Sequence, residues 1–96
     1  MIESFKNQGT EDIFNGKSTK DARQACPPNV WRHASRKLDM LDSAININDL
    51  RSPPGNRLEK LKGDRSGQYS IRINDQYRIC FTWFNKPGEV EITNYH

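Results

Sequence analysis

The stretch from Gly67 to Trp83, GQYSIRINDQYRICFTW, alternates apolar and polar residues through both of its halves and therefore reads as a β-hairpin. Tyr69, Ile71 and Ile73 alternate with Ser70, Arg72 and Asn74. Tyr77, Ile79, Phe81 and Trp83 alternate with Arg78, Cys80 and Thr82. Register follows from the faces, because a slip by one residue carries every apolar side chain to the wrong side. A loop of Asn74, Asp75 and Gln76 pairs Ile73 with Tyr77 and Ile71 with Ile79, and Asn74 or Asp75 supplies the turn conformation. A shorter loop sets Ile71 against Arg78. The favoured register places Arg72 directly opposite Arg78. Like charges so opposed destabilise a sheet. The pair has two readings: solvated arginines with their heads splayed apart, or two guanidinium forks suited to a phosphate.

The rest of the chain supplies neighbours for this hairpin. Ile2 to Phe5 reads as an edge strand that joins the sheet. Thr10 is the expected N-cap of a short helix closed by Gly16, and Ser18 to Cys26 suggests a helical turn around Asp21 to Gln24. Pro28 opens the main helix, predicted over 28–44, with a buried stripe of Val30, Ala34, Leu38, Leu41 and Ile45 flanked by Trp31. Arg32, His33, Arg36 and Lys37 fall on its outer side, a solvated back face. Leu50 anchors the connection that follows. Asn56 to Lys62 reads as a strand in which Leu58 and Leu61 break strict alternation, so a bulge is expected near Glu59-Lys60. The last hairpin is expected to turn at Asn85-Lys86-Pro87-Gly88, with a final strand from Glu89 to Tyr95. Matching faces pairs Phe81 with Ile92 and Trp83 with Val90, which sets Tyr95 beside Arg78.

Ninety-six residues suit a single domain with a core that needs no disulfide or metal. Cys26 and Cys80 are too few for a disulfide framework, and no zinc-ligand spacing is present. No signal peptide or membrane-spanning run is visible, so a reduced, cytoplasmic, soluble protein without membrane contact is expected. Net charge is +3. Between Arg51 and Arg78, Arg51, Arg57, Lys60, Lys62, Arg65, Arg72 and Arg78 outnumber Glu59, Asp64 and Asp75. That excess fits a phosphate-rich partner, of which nucleic acid is the commonest.

Parity places Arg72, Arg78 and Tyr95 in one row on the open face, with His96 next door and Lys62 and Glu59 on the preceding strand. RNA cleavage without a metal needs a base near the 2′-hydroxyl, an acid at the 5′-oxygen and cations around the phosphate. Those residue types are all present. The 2′-hydroxyl is then the nucleophile, so DNA is not cut. A C-terminal histidine such as His96 is more often a frayed side chain, and Tyr95 more often a packing aromatic. His33 has no assigned role and Cys80 reads as structural. Trp83 and Tyr69 suit base stacking, but their parity turns them inward.

Several stretches carry a resemblance: MIESF at the start, RKLDMLDSA, the run DLRSPPGNRLEKLKGDRSGQYSIRINDQYRICFTW, and the ending EITNYH. The chain resembles the HigB-type toxins of bacterial type II toxin–antitoxin pairs, the plasmid maintenance killer proteins, within the RelE/ParE superfamily. The resemblance covers nearly all of the chain, and LKGDR with the SIRIN–YRICF hairpin is its most specific part. It implies a single RelE/ParE-like toxin domain over 1–96, of α+β class: N-terminal helices packed on one face of a small, twisted, mainly antiparallel sheet. It further implies a ribosome-dependent mRNA endonuclease that cuts codons in the 30S A site, uses no metal or cofactor, and is neutralised by a helix-turn-helix antitoxin of HigA type. Operator DNA is met only through the antitoxin complex. Carried over by position, catalytic roles fall on Lys62, Arg78, Tyr95 and His96, with Glu59 where some relatives have a histidine. Asn94 stands where they have an aspartate, and it cannot take a proton. Arg57, Lys60, Lys62, Arg65, Arg72 and Arg78 are the candidate RNA and phosphate contacts. Two alternatives stand beside this reading: a non-catalytic inhibitor of DNA gyrase, as ParE-type relatives act, and an RNA-binding module without turnover.

Overall fold

Three helices precede a four-stranded antiparallel sheet in the computed structural model, which describes residues 1–94. The helices are α1 (Gln8–Phe14), α2 (Lys20–Ala25) and α3 (Trp31–Ser43). The strands, β1 (Glu59–Lys60), β2 (Gln68–Arg72), β3 (Tyr77–Trp83) and β4 (Pro87–Asn94), lie side by side in chain order. One core joins the two layers. Ile13, Ala22, Val30, Ala34, Leu38 and Leu41 from the helical half pack with Leu50 and with Ile71, Ile79, Phe81, Val90 and Ile92 of the sheet.

The first two helices start on polar caps, whereas α3 follows directly on the Pro28–Val30 turn with no side-chain cap. Asn7, rather than the expected Thr10, caps α1 by accepting from the Thr10 amide at 2.9 Å. Thr10 is buried instead, and its hydroxyl accepts from the Ile92 amide at 3.1 Å, pinning α1 to β4. Thr19 caps α2, a full helix where the sequence suggested a single turn. The α3 stripe is Val30, Ala34, Leu38 and Leu41, as the spacing predicts. Ile45 does not extend it: the chain turns extended at Ala44, which is buried, and Ile45 is 87% exposed.

The central hairpin has the expected register, with Ile71 paired to Ile79 and Arg72 to Arg78. Asn74 makes the turn, its Oδ1 accepting from the Gln76 and Tyr77 amides at 2.9 and 2.8 Å. The β3–β4 register departs from expectation by two residues. Ile79 faces Ile92, Arg78 faces Thr93 and Tyr77 faces Asn94. Pro87 and Gly88 are strand residues, so the turn is shorter than the Pro-Gly pair suggested. A bulge then shifts the pairing by one more residue: Cys80 pairs with Glu91 and Thr82 with Gly88, leaving Glu89, at φ 48°, and Val90 opposite Phe81.

Two further segments depart in detail. Residues 3–6 run parallel to β4 through Glu3 N–Pro87 O, Val90 N–Ser4 O and Lys6 N–Val90 O bonds of 2.8, 3.1 and 2.9 Å. This is a bridge rather than a strand, and it covers half of the β4 edge. β1 is only Glu59 and Lys60, and Leu58 and Leu61 need no bulge. An odd spacing sends them to opposite faces: Leu58 packs against the main core, whereas Leu61 is buried outside that cluster. The connection from α3 to β1 hangs on Asn56, fully buried. Its amide nitrogen donates to the Leu50 and Ser52 carbonyls, and its oxygen accepts from Lys37. Burial holds the Lys37 ammonium below its ordinary pKa.

Two outcomes follow for stability. A methyl group at Gly9 would stand 2.2 Å from the Asp21 carbonyl oxygen of α2. Gly9→Ala should therefore cost about 1–3 kcal/mol by forcing α1 and α2 apart, read as a lower denaturant midpoint. The Asp12 carboxyl is held below its ordinary 3.8, first by the Thr19 hydroxyl and then by the Gln8 amide. A depressed carboxylate pKa stabilises the fold above the unfolded value and is lost as pH falls below it. Stability measured from pH 6 to pH 2 should fall less in Thr19→Ala than in the wild type.

Candidate functional site

The face of the sheet turned away from the helices carries Glu59, Ser70, Cys80 and Glu91 in one row and Arg72, Arg78 and Thr93 in the next. It is less open than alternation suggests: Ser70 and Cys80 are fully buried and Arg78 is 8% exposed. A buried guanidinium needs partners. Arg78 lies back across β2, its Nε donating to Ser70 Oγ at 2.8 Å and its Nη2 to the Arg57 carbonyl at 2.7 Å. The Glu59 carboxylate stands 3.9 Å from the same nitrogen. Arg57 presents that carbonyl from a left-handed turn, φ 45°, after the Pro54–Asn56 turn. Asn56, through Leu50 and Ser52, thus anchors the loop that holds Arg78.

Arg72 turns the other way, onto the carboxylate of Asp75 in the hairpin turn. The two opposed arginines are therefore splayed, which relieves their repulsion. They still line one open depression together with Arg57, Glu59, Asn74 and Asp75. Three guanidinium groups and two carboxylates leave it net positive. Beside it the Thr93 hydroxyl is buried with no hydrogen-bond partner among the described residues. Asp75 was legible in the sequence only as a turn residue. Its place three positions after Arg72, across a tight turn, is the signal that could have found it.

Other candidates lie elsewhere. Arg65 is engaged, donating to Gln68 Oε1 and Glu91 Oε1, both at 3.1 Å, in a strap that crosses β3 between β2 and β4. Lys60 pairs with Tyr69 and shares its face, not that of the arginines. Lys62 is exposed; the Leu61 N–Gln68 O bond of 2.8 Å brings it level with Gly67. That is roughly 16 Å along the strand from the level of Arg72, at about 3.3 Å per residue. The structure therefore gathers Arg57, Glu59, Arg72 and Arg78, and leaves Lys60, Lys62 and Arg65 outside. Tyr95 and His96 lie outside the described residues. The expected Tyr95 register beside Arg78 is corrected, because Thr93 occupies that position. Tyr69 and Trp83 pack against the core, and Tyr69 stacks on Phe81. Cys80 is buried, and burial pushes the Cys26 thiol up to about 11, so it stays protonated at neutral pH. Among the described residues no group of three His, Cys, Asp or Glu side chains is placed to hold a metal ion, and no helix is long and apolar enough to cross a membrane.

Comparison with known proteins places the chain in a family. A family model described as "RelE-like toxin of type II toxin-antitoxin system HigB" matches residues 3–96. The chain is 33% identical over 95 residues to a Proteus vulgaris protein named Endoribonuclease HigB, covering 99% of this chain and 96% of that one. It is 42% identical over 84 residues to Toxin HigB-1 of Vibrio cholerae, covering 86% and 84%. It is also 46% identical over 65 residues to an uncharacterized Haemophilus influenzae protein, where the match takes in 68% of this chain and 64% of that one, under two thirds of the relative. In structure it is similar to a chain of the YoeB-YefM complex from Staphylococcus aureus, with TM-score 0.61, 25% identity and coverage of 100% and 95%.

The arginine network gives a direct test of its own. Ser70→Ala removes the Nε acceptor of a buried guanidinium, and should destabilise the protein by about 1–3 kcal/mol in denaturant melts. Ser70→Thr, which keeps the hydroxyl, should recover part of that loss.

Proposed function

The chain belongs to the RelE-like HigB toxins of type II toxin–antitoxin systems, and from that premise we propose that it is a ribosome-dependent endonuclease of messenger RNA. The observation that carries the proposal is the convergence of Arg57, Arg72 and Arg78 with Glu59 on one depression. A relative bearing the name endoribonuclease supports it.

In this reading the scissile phosphate enters the depression. Arg78 forms its cationic floor, and Arg57 and Arg72 reach the phosphate oxygens from either side. The RNA 2′-hydroxyl attacks the adjacent phosphorus, a general base takes its proton, and a general acid protonates the departing 5′-oxygen. The products are a 2′,3′-cyclic phosphate and a 5′-hydroxyl end. Fixed guanidinium groups stabilise the charge that builds on the phosphorane. His96 is the first choice for acid or base, with Tyr95 and Glu59 for the complementary role. Asn94, the last of the described residues, pairs with Tyr77, one position from Arg78. Lys62 and Lys60 are assigned to phosphates further along the strand, and Arg65 to holding the loop that carries Lys62.

The substrate is the mRNA codon exposed in the 30S A site, and the partner that silences the protein is a cognate antitoxin of helix-turn-helix type. Toxin–antitoxin complexes among its structural neighbours support an antitoxin as partner. Operator DNA is reached through that complex alone, and the toxin works as one cytoplasmic domain over 1–96.

Mapping of 5′ ends on a defined mRNA in a purified translation system tests this reading. Wild type should cut within codons only when ribosomes are present. His96→Ala should lose about 10²- to 10⁴-fold in rate. Arg72→Ala, which removes a partly exposed side chain, should lose about tenfold or more without a change in melting temperature. Intact mRNA with folded wild-type protein would shift the assignment to the gyrase-type inhibitor. Binding without cutting would shift it to an RNA-binding module.

A further inference from the structure

The depression holds its own anions. Arg72 is paired with Asp75, and Glu59 stands 3.9 Å from Arg78. Glu59 is a candidate for the chemistry, but Asp75 is not, and the fold does not need its carboxylate for the turn. Asn74 makes that turn with its own side-chain oxygen. The Asp75 side chain is 97% exposed, and the contact it makes is with the Arg72 guanidinium. A carboxylate on a guanidinium fork occupies the geometry that a phosphate oxygen pair would take.

We propose that Asp75 is a resident counter-ion of the RNA site: it holds Arg72 in the empty protein and yields it to a backbone phosphate, so that Asp75 sets how strongly a phosphate must compete to enter. This rests on the depression being where RNA phosphates bind. Asp75 is a positioning residue, acting through Arg72. A lone phosphate must displace Asp75 for a single new contact. An oligonucleotide, with successive phosphates reaching Arg57 and Arg72 together, recovers that cost through the second contact. Asp75 also keeps Arg72 from facing Arg78 unscreened, in a pairing that otherwise destabilises the sheet.

The test is equilibrium binding of a fully 2′-O-methylated RNA oligonucleotide, which offers no nucleophile, and of inorganic phosphate, at low and moderate salt. Wild type, Asp75→Asn, Asp75→Glu, Arg72→Ala and the double variant Asp75→Asn/Arg72→Ala are compared, each checked to be folded at the assay temperature. Asp75→Asn should bind the oligonucleotide about two- to fivefold more tightly at low salt, the scale of an exposed ion pair. Inorganic phosphate, which must displace the same carboxylate, should gain by a comparable factor. Asp75→Glu should behave as wild type, and the gain should vanish in the Arg72→Ala background. Unchanged affinity in Asp75→Asn overturns the proposal, and so does an equal gain without Arg72, which would mark a general charge effect. Because the probe cannot be cut, a failure of mRNA cleavage in the translation system would sink the nuclease reading and leave this result standing.

Discussion

The pairing of Ile71 with Ile79 fixes nearly everything else in this protein. With a side-chain period of two, burying those isoleucines against the helices commits Arg72 and Arg78 to the opposite face and to each other. The sheet accepts that repulsion because each arginine is drawn away from its opposite number. The Asn74 turn places Asp75 within reach of one, and the loop before β1 offers a carbonyl to the other. The energetics of the hydrophobic face and the electrostatics of the polar face are thus set by one register.

Arg78 shows why this site is also a structural element. Its guanidinium is buried, and breaking a buried charge network by removing one partner is costly. The Ser70 hydroxyl and the Arg57 carbonyl hold it, and Asn56 holds the loop that supplies the carbonyl. The chain of dependence runs from α3, through Asn56 and Arg57, to the positive floor of the depression. The depression borrows its rigidity from packing that begins on the far side of the sheet.

The central hairpin was legible from the sequence because both of its strands alternate cleanly and its loop is short. The stripe on α3 was legible for the same reason of period. The β4 register was not, because Pro87-Gly88 is a strong turn signal, and a positive φ at Glu89 leaves no trace in residue type. Thr10 is a good cap that fold-level packing turned to another use, accepting from β4. The basic residues between Arg51 and Arg78 looked like one surface. Arg65 is tied to Glu91, Lys60 shares the face of Tyr69, and only strand pairing separates them from Arg57 and Arg72. Charge counts carry no information on direction, which is why the sequence did not show which of these residues share the depression.

The parallel bridge between residues 3–6 and β4 has a bearing on how the protein comes into being. The Glu89 amide reaches Ser4 across 85 positions of chain, and Thr10 meets Ile92 across 82. Such contacts close late, since the loop entropy falls due before any local gain offsets it. During synthesis the first residues emerge with no edge to join until Val90 has left the ribosome. Residues 3–6 therefore wait for β4, and the sheet is complete only once that strand has been made.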